Sequence, residues 1–262
     1  MSFRWVSSSG CRSGGSSRST RRKRPSRHAR SEQTGVRSES VGPHERLRRG
    51  LNRIGIELIP AQYEALELYL TELRRWASQV NLTGLRTEEA IIREGFLRSF
   101  AHRAAFEPTP LLKAVDVGSG AGFPGLVLKI GYPEIDMTLL EPRRRRATFL
   151  RFVIRQLGLT GIQCIQRRVE ELCEDAEHRG RYDVAFARAV GPVQEVARMT
   201  KPLLKSGGRL ILQAGQEARD TLSSLRPALD ALGLRVESRE AAAPDQGAPP
   251  THLLILAKVD GT

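Results

Sequence analysis

The sequence is poor in cysteine, in aromatic residues and in long apolar runs. Its three cysteines are an odd number without Cys-x-x-Cys spacing, which argues against a disulfide framework or a zinc cluster. No apolar run approaches the roughly 18 residues of a membrane span, and no apolar stretch of a signal peptide lies near the N-terminus. We therefore expect a cytoplasmic protein with reduced thiols, without a membrane segment and without a bound metal.

Positive charge is abundant but unevenly placed. The net charge of the 262 residues is +13, and residues 1–31 carry nine basic and no acidic side chains. The rest of the chain has 33 basic and 29 acidic residues and is only mildly basic. Total charge alone is therefore no evidence that the globular part binds nucleic acid.

The composition divides the chain into three regions. Residues 1–42 are rich in Ser, Gly and Arg, have almost nothing to bury, and predict a disordered basic tail. Such a tail fits a spurious upstream start, a basic arm that touches nucleic acid, or a transit peptide; we favour an inert tail, because it shows no amphipathic helix. Residues 43–108 have apolar residues at helical spacing and predict a helical appendage. Residues 109–262 predict the ligand-binding domain.

The pattern after residue 109 predicts an α/β fold with a doubly wound, mostly parallel sheet of seven strands. Strands are expected at residues 111–117, 136–141, 162–166, 182–187, 208–213, 234–238 and 252–258. Helices are expected at residues 124–130, 143–157, 168–178, 192–204 and 216–232. In a fold of this kind the ligand binds at the carboxyl ends of the strands.

A glycine-rich turn follows the first of these strands. Gly118, Gly120 and Gly122 make Gly-x-Gly-x-Gly, whereas Gly120, Gly122 and Gly125 make Gly-x-Gly-x-x-Gly, the dinucleotide fingerprint. Glycine is needed where the backbone takes positive φ or lies against a ligand. A helix N-terminus directly after the turn offers free N–H groups to a polar or anionic ligand. The first pattern fits S-adenosylmethionine and the second a nicotinamide dinucleotide, and either match is weak on its own.

Two acids bear on this choice. Glu141 ends the next strand, where both kinds of site place an acid for ribose hydroxyl groups. Asp116 lies two residues before the first glycine, and a carboxylate there is unfavourable beside a pyrophosphate. It is favourable beside the amino group and the sulfonium cation of S-adenosylmethionine. Asp116 therefore favours the methyl donor as the cofactor, and it can also hydrogen-bond to the glycine turn.

Two further strand ends carry candidate site residues. Val169 and Glu170 follow the third strand, where Val169 could pack on an adenine ring; Glu170 is equally well explained as an acid in the first turn of a helix. Arg188 ends the fourth strand, where its planar fork could bind a carboxylate or a phosphate. An interstrand salt bridge explains Arg188 about as well.

A helix start is expected at four consecutive arginines, Arg143, Arg144, Arg145 and Arg146. Cations at a helix N-terminus oppose the helix dipole. The four are either a solvated surface with local ion pairs or a contact for the phosphate backbone of RNA. Because the placement is unfavourable without an anion, we favour RNA.

These motifs together resemble the ribosomal small-subunit methyltransferase G family (RsmG, also called GidB), over roughly residues 60–215. The resemblance rests on Asp116–Gly125 with its Pro-Gly ending, on Thr138–Glu141, on Arg146 with Phe149 and Leu150, on Arg168–Glu171, on Arg188-Ala189, and on Trp76 followed by Asn81–Gly84. The sequence departs from the family pattern in two places. Residues 94–99 lack the usual Arg-His-x-x-Asp-Ser set, and Ala214-Gly215 stands where the family has Lys-Gly.

The resemblance implies a class I, Rossmann-like methyltransferase that uses S-adenosylmethionine to methylate N7 of a guanine in 16S ribosomal RNA. It also implies that Gly118, Phe123, Val169, Glu170 and Arg188 stand at cofactor-binding positions. Guanine N7 has a lone pair and no proton, so direct in-line transfer needs no obligatory base, and we name no catalytic residue. We expect a monomer whose partner is 16S ribosomal RNA or the small ribosomal subunit. Two alternatives remain: an RNA-binding relative that is not catalytic or has another target, and a nicotinamide-dependent reductase.

Overall fold

Seven strands form one sheet in the computed structural model, which describes residues 42–214, 222–243 and 249–259. The strands are β1 (Lys113–Val117), β2 (Asp136–Leu140), β3 (Ile162–Ile165), β4 (Tyr182–Ala187), β5 (Leu204–Ala214), β6 (Leu234–Ala241) and β7 (Thr251–Lys258). Their order is β3-β2-β1-β4-β5-β7-β6; β7 runs antiparallel to both of its neighbours and every other pairing is parallel. The predicted doubly wound, mostly parallel sheet is confirmed.

The central strands are apolar because both of their faces are covered. In β1, the residues from Ala114 to Val117 are all buried, and β4 is nearly as enclosed. The chain proceeds from β1 outwards through β2 to β3 and then returns to β4 on the other side of β1. This reversal opens a crevice at the carboxyl ends of β1 and β4.

Helices cover the two faces of the sheet in two layers. The helices are α1 (Pro43–Arg53), α2 (Pro60–Ala77), α3 (Glu88–Ala90), α4 (Arg98–Phe100), α5 (Gly125–Gly131), α6 (Arg144–Gln156), α7 (Val169–Glu174), α8 (Val193–Thr200) and α9 (Leu222–Ala231). One core cluster unites α1, α2, α5 and α6, and a second unites α7, α8 and α9. The N-terminal helices therefore share a core with two helices of the predicted ligand-binding domain.

The N-terminal helices are fastened by polar contacts as well as by packing. Gln62 accepts the Ile59 N–H at 2.9 Å and donates to the carbonyl groups of Ile130 and Gly131 at the end of α5. The Thr87 hydroxyl accepts the Ala90 N–H at 3.1 Å and caps α3. The chain then continues as a π-helix (Ile91–Leu97), α4 and a 3-10 helix (Ala101–Ala105). A π-helical segment was not expected.

Several element bounds differ from the sequence expectation. The helix predicted at 168–178 ends at Glu174, because the Asp175 carboxylate accepts the Glu177 N–H at 3.1 Å and forms a turn. The helix predicted at 192–204 ends at Thr200, since Pro202 lacks an N–H group for an α-helix, and β5 begins at Leu204.

Parts of two other predictions lie outside the described residues. The described part of the last predicted helix is α9, and the tail predicted at 1–42 is described only at Gly42. β6 continues to Ala241 because it pairs with β7 along its whole length. Among the described residues, no helix is long and apolar enough to cross a membrane.

Candidate functional site

The glycine-rich turn connects the end of β1 to the start of α5. The φ values of Gly118, Gly120 and Gly122 are +73°, +57° and +107°. Residues that carry a side chain rarely adopt such values. The N–H groups of Gly118 and Ser119 donate to the Leu140 carbonyl at 2.8 and 3.1 Å. These two hydrogen bonds hold the turn against the carboxyl end of β2. A ligand is expected at this end of the strands.

Glu141 holds the turn from the neighbouring strand. Its Oε2 atom accepts the Gly120 N–H at 2.9 Å, and its Oε1 atom accepts the Arg143 N–H at 2.8 Å. The residue is buried, with only 2% of its surface exposed. One carboxylate thus links the glycine turn to the start of α6.

A cavity of about 540 Å³ lies beside this carboxylate, within the size range of small-molecule sites. The cavity contains four residues predicted for the site: Gly118, Glu141, Arg143 and Arg146. The sequence motifs contain Arg168, Glu171 and Ala189, but none of these was named as a site residue, and Pro142, Gln166 and Val190 were missed altogether. The other lining residues are, in full, Pro142, Gln166, Arg167, Arg168, Glu171, Ala189 and Val190. Except for Pro142, these follow β3 and β4, so the carboxyl ends of four strands meet at the cavity.

The remaining predicted residues lie around the cavity without lining it. Val169 is buried at the start of α7, and Glu170 beside it is exposed. Phe123 is buried against Phe96 and Tyr69. The others are Gly120 and Gly122 within the turn, Asp116 behind it, Arg188 after β4, and the exposed Arg144 and Arg145.

Asp116 lies fully buried behind the turn. Its Oδ2 atom accepts the Gly125 N–H at 3.0 Å, and its Oδ1 atom has no hydrogen-bond partner among the described residues. Burial raises the pKa of this carboxyl group to about 7, although the Gly125 N–H opposes the change. An acceptor of this kind gains from a nearby cation, which would stabilise its ionised form.

Arg188 contacts a backbone carbonyl group of the π-helix. Its Nη1 atom donates to the Glu94 carbonyl at 2.7 Å, and burial lowers the pKa of its guanidinium. The Glu94 carboxylate is in turn paired with Arg93 at 3.0 Å and with Arg98 at 2.6 Å. Arg188 thus connects the end of β4 to the π-helix, where the sequence departs from the family pattern.

The turn is also supported from the N-terminal helices. The Tyr69 hydroxyl donates to the Ala121 carbonyl and would lie 2.6 Å from a Cβ atom at Gly122. Gly95 of the π-helix lies against the Phe123 ring, and a Cβ atom there would come within 2.7 Å of it. Sequence reasoning missed Tyr69 and Gly95, although Tyr69 follows Leu66 at helical spacing.

The strand order, the glycine turn after β1 and the acid after β2 define a class I methyltransferase. A family model described as rRNA small subunit methyltransferase G matches residues 62–246 of this sequence. The chain belongs to that family, as its motifs predicted.

Individual relatives agree with the family model. The ribosomal RNA small subunit methyltransferase G of Chloroflexus aggregans is 36% identical over 208 residues, which cover 79% of this chain and 87% of that protein. The protein of the same name from Roseiflexus sp. is 37% identical over 208 residues and is covered to 88%. Among solved structures, the precorrin-6y C5,15-methyltransferase of Geobacter metallireducens is 18% identical, with a TM-score of 0.48 over 62% of this chain and 88% of that chain.

Proposed function

We propose that this protein uses S-adenosylmethionine to methylate N7 of a guanine in 16S ribosomal RNA. One observation carries the proposal: a cavity of about 540 Å³ opens where the glycine turn, Glu141 and the ends of four strands meet. Membership of the methyltransferase G family supports the reaction and the kind of substrate. We expect the protein to act in the cytoplasm on the small ribosomal subunit or its RNA.

The residues around the cavity fit the proposed cofactor. Each Glu141 oxygen accepts one backbone N–H, and a carboxylate has about four acceptor sites, so Glu141 can also accept ribose hydroxyl groups. The free Oδ1 atom of Asp116 suits the cationic methionine end. Gly118 has no side chain to occupy the cavity that it lines. When bound, the cofactor supplies a methyl group on a sulfonium cation.

The other residues predicted to bind the cofactor would act on it less directly. Gly120, Gly122 and Phe123 would shape the wall of the methionine half of the site. Val169 and Glu170 would bind at the adenine end, beyond Arg168 at the cavity wall. Arg188 would hold the π-helix against the site through the Glu94 carbonyl, and from there it could anchor the cofactor or the RNA.

Catalysis in this proposal comes from positioning rather than from proton transfer. N7 of guanine attacks with its own lone pair, so the protein must align N7 with the methyl group and exclude water. The arginines at the start of α6, Arg143 to Arg146, would hold the RNA phosphates at the mouth of the cavity. Arg146 is itself positioned, because its Nε atom donates to the Asn81 carbonyl at 3.2 Å.

Transfer of tritium from labelled S-adenosylmethionine to small ribosomal subunits tests the reaction. Subunits should come from a strain without the corresponding gene, and we expect label in the RNA fraction only. Cofactor binding without transfer would instead favour the RNA-binding alternative. Saturable binding of NAD in place of S-adenosylmethionine would favour a reductase.

A further inference from the structure

The basic charge of the chain outside the tail is concentrated in one segment. Residues 143–168 contain eight arginines and no acidic residue. From residue 32 onwards, the rest of the sequence has 25 basic and 29 acidic residues. Outside this segment, which forms α6, β3 and the loop after β3, the rest of the globular part therefore has a small net negative charge.

Three of these arginines form a line along α6. Arg144, Arg151 and Arg155 are spaced seven and four residues apart, so they lie on one face of the helix, and all three are exposed. At 1.5 Å per residue, the line from Arg144 to Arg155 is about 17 Å long. The apolar side chains of α6 are buried on the other face. We name Arg144, Arg151 and Arg155 the α6 arginine stripe.

The stripe begins at the mouth of the cavity and follows the edge of the sheet. Arg143 and Arg146 line the cavity at the start of α6, and Arg167 and Arg168 line it after β3. The Arg151 Nε atom donates to the Cys164 carbonyl of β3, the edge strand, at 3.3 Å. The cations of the cavity and of the stripe thus form one continuous basic surface.

One helix of the opposite layer, α7, has the opposite charge. α7 carries Glu170, Glu171 and Glu174 and no basic residue, and its apolar side chains belong to the second core cluster. Arg167 is paired with Asp175 at 3.0 Å on that side, and Glu171 lines the cavity. An extended anion that reaches the cavity is therefore attracted along α6 and repelled along α7.

We propose that the α6 arginine stripe is a docking surface for the phosphate backbone of the RNA substrate, and that it guides the RNA along α6 into the cavity. The inference rests on the proposed function and adds the direction from which the substrate arrives. Guanidinium forks match phosphate oxygens and fix the register of a strand without reading its sequence. The stripe has no exposed apolar side chain that could insert into a membrane surface.

A matched pair of double variants tests the surface. Arg151→Gln with Arg155→Gln removes two charges from the stripe. Arg226→Gln with Arg235→Gln removes two from α9 and β6, at the opposite edge of the sheet. Affinity for small ribosomal subunits is measured against salt concentration. We expect the slope of log affinity against log salt to become shallower by about 1.5 in the stripe variant only, because each lost phosphate contact removes 0.7 to 0.9.

Three results would overturn the inference. One is an equal change in both double variants, which would be an effect of net charge. Another is an unchanged slope with aggregation of the stripe variant, which would mean that the arginines protect the edge strand. The third is loss of binding to anionic vesicles with RNA binding intact. Because the slope needs only binding, a wild-type protein that binds subunits without methylating them would contradict the proposed function and leave this inference standing.

Discussion

At the scale of the residue, the site contains two buried carboxylates that differ in how many of their oxygens accept a hydrogen bond. Glu141 accepts a backbone N–H on each oxygen, whereas Asp116 has one oxygen without a partner among the described residues. Glu141 therefore holds the turn through its own hydrogen bonds. Asp116 gains its missing interaction only when something cationic or hydrogen-donating approaches.

Replacement of Glu141 by Gln should weaken cofactor binding. The amide keeps one acceptor but sets an N–H₂ group against either the Gly120 or the Arg143 N–H. We expect about a tenfold to hundredfold loss of S-adenosylmethionine affinity, corresponding to about 1.5–3 kcal/mol, measured by calorimetry. Glu171→Gln, which changes an exposed acid of the same cavity, is the control and should have a small effect. Equal losses in both variants would remove the special role of Glu141.

Asp116 should make both stability and cofactor binding depend on pH. Its pKa is raised from 3.8 to about 7 in the folded protein, so the folded state binds more protons than the unfolded state between these values. The free energy of unfolding should therefore fall as pH rises from about 4 to about 7, and Asp116→Asn should remove this component. Denaturant unfolding at several pH values measures it.

Cofactor affinity should change with pH in the opposite sense. A bound cation favours ionised Asp116, so S-adenosylmethionine should bind more tightly as pH rises from 6 to 8. In Asp116→Asn this dependence should be flat. A wild-type affinity that does not vary over this range would show that the cofactor cation lies away from Asp116.

At the scale of the element, the glycine turn depends on helices that precede it by many residues. Tyr69 of α2 donates to the Ala121 carbonyl, and Gly95 of the π-helix contacts the Phe123 ring. The turn is therefore held between the sheet and the N-terminal helices. Its shape is a property of both regions.

Gly95→Ala tests this support. The added methyl group would lie 2.7 Å from the Phe123 ring, so the ring or the π-helix must move. We expect a loss of about 1–3 kcal/mol in the free energy of unfolding, together with weaker cofactor binding. Gly84→Ala is the matched control, because a Cβ atom at Gly84 meets nothing within 4 Å. If the two variants behave alike, the contact between Gly95 and Phe123 is unimportant.

The order of the elements was predictable because their signals are local. The apolar runs of the strands and the apolar residues at helical spacing in residues 43–108 each indicate structure within a few residues. The π-helix and the Arg188 contact were not predictable. The contact joins Glu94 and Arg188, which are 94 residues apart in sequence and meet only in the folded protein.

At the scale of the whole molecule, the lining of the cavity was likewise predictable only in part. Sequence reasoning identified Gly118 and Glu141, which follow adjacent strands in known order. It missed Gln166 and Val190, although it had assigned Val169, Glu170 and Arg188 to the same strand ends, because only the folded sheet decides which residue of a loop faces the cavity. Two helices beside the cavity also differ in charge: α6 is basic, and α7 in the other layer is acidic.

The central claim is that S-adenosylmethionine binds in the cavity beside Glu141 and that its methyl group is transferred to guanine N7 of the small-subunit RNA. Nucleoside mass spectrometry of subunits methylated in vitro, with the modified position mapped by cleavage at N7-methylguanine, tests it most directly. We predict one N7-methylguanosine in 16S ribosomal RNA with the wild-type protein, and much less with Glu141→Gln at limiting cofactor. Methylation at another atom, or no methylation of RNA by a protein that binds S-adenosylmethionine, would contradict it.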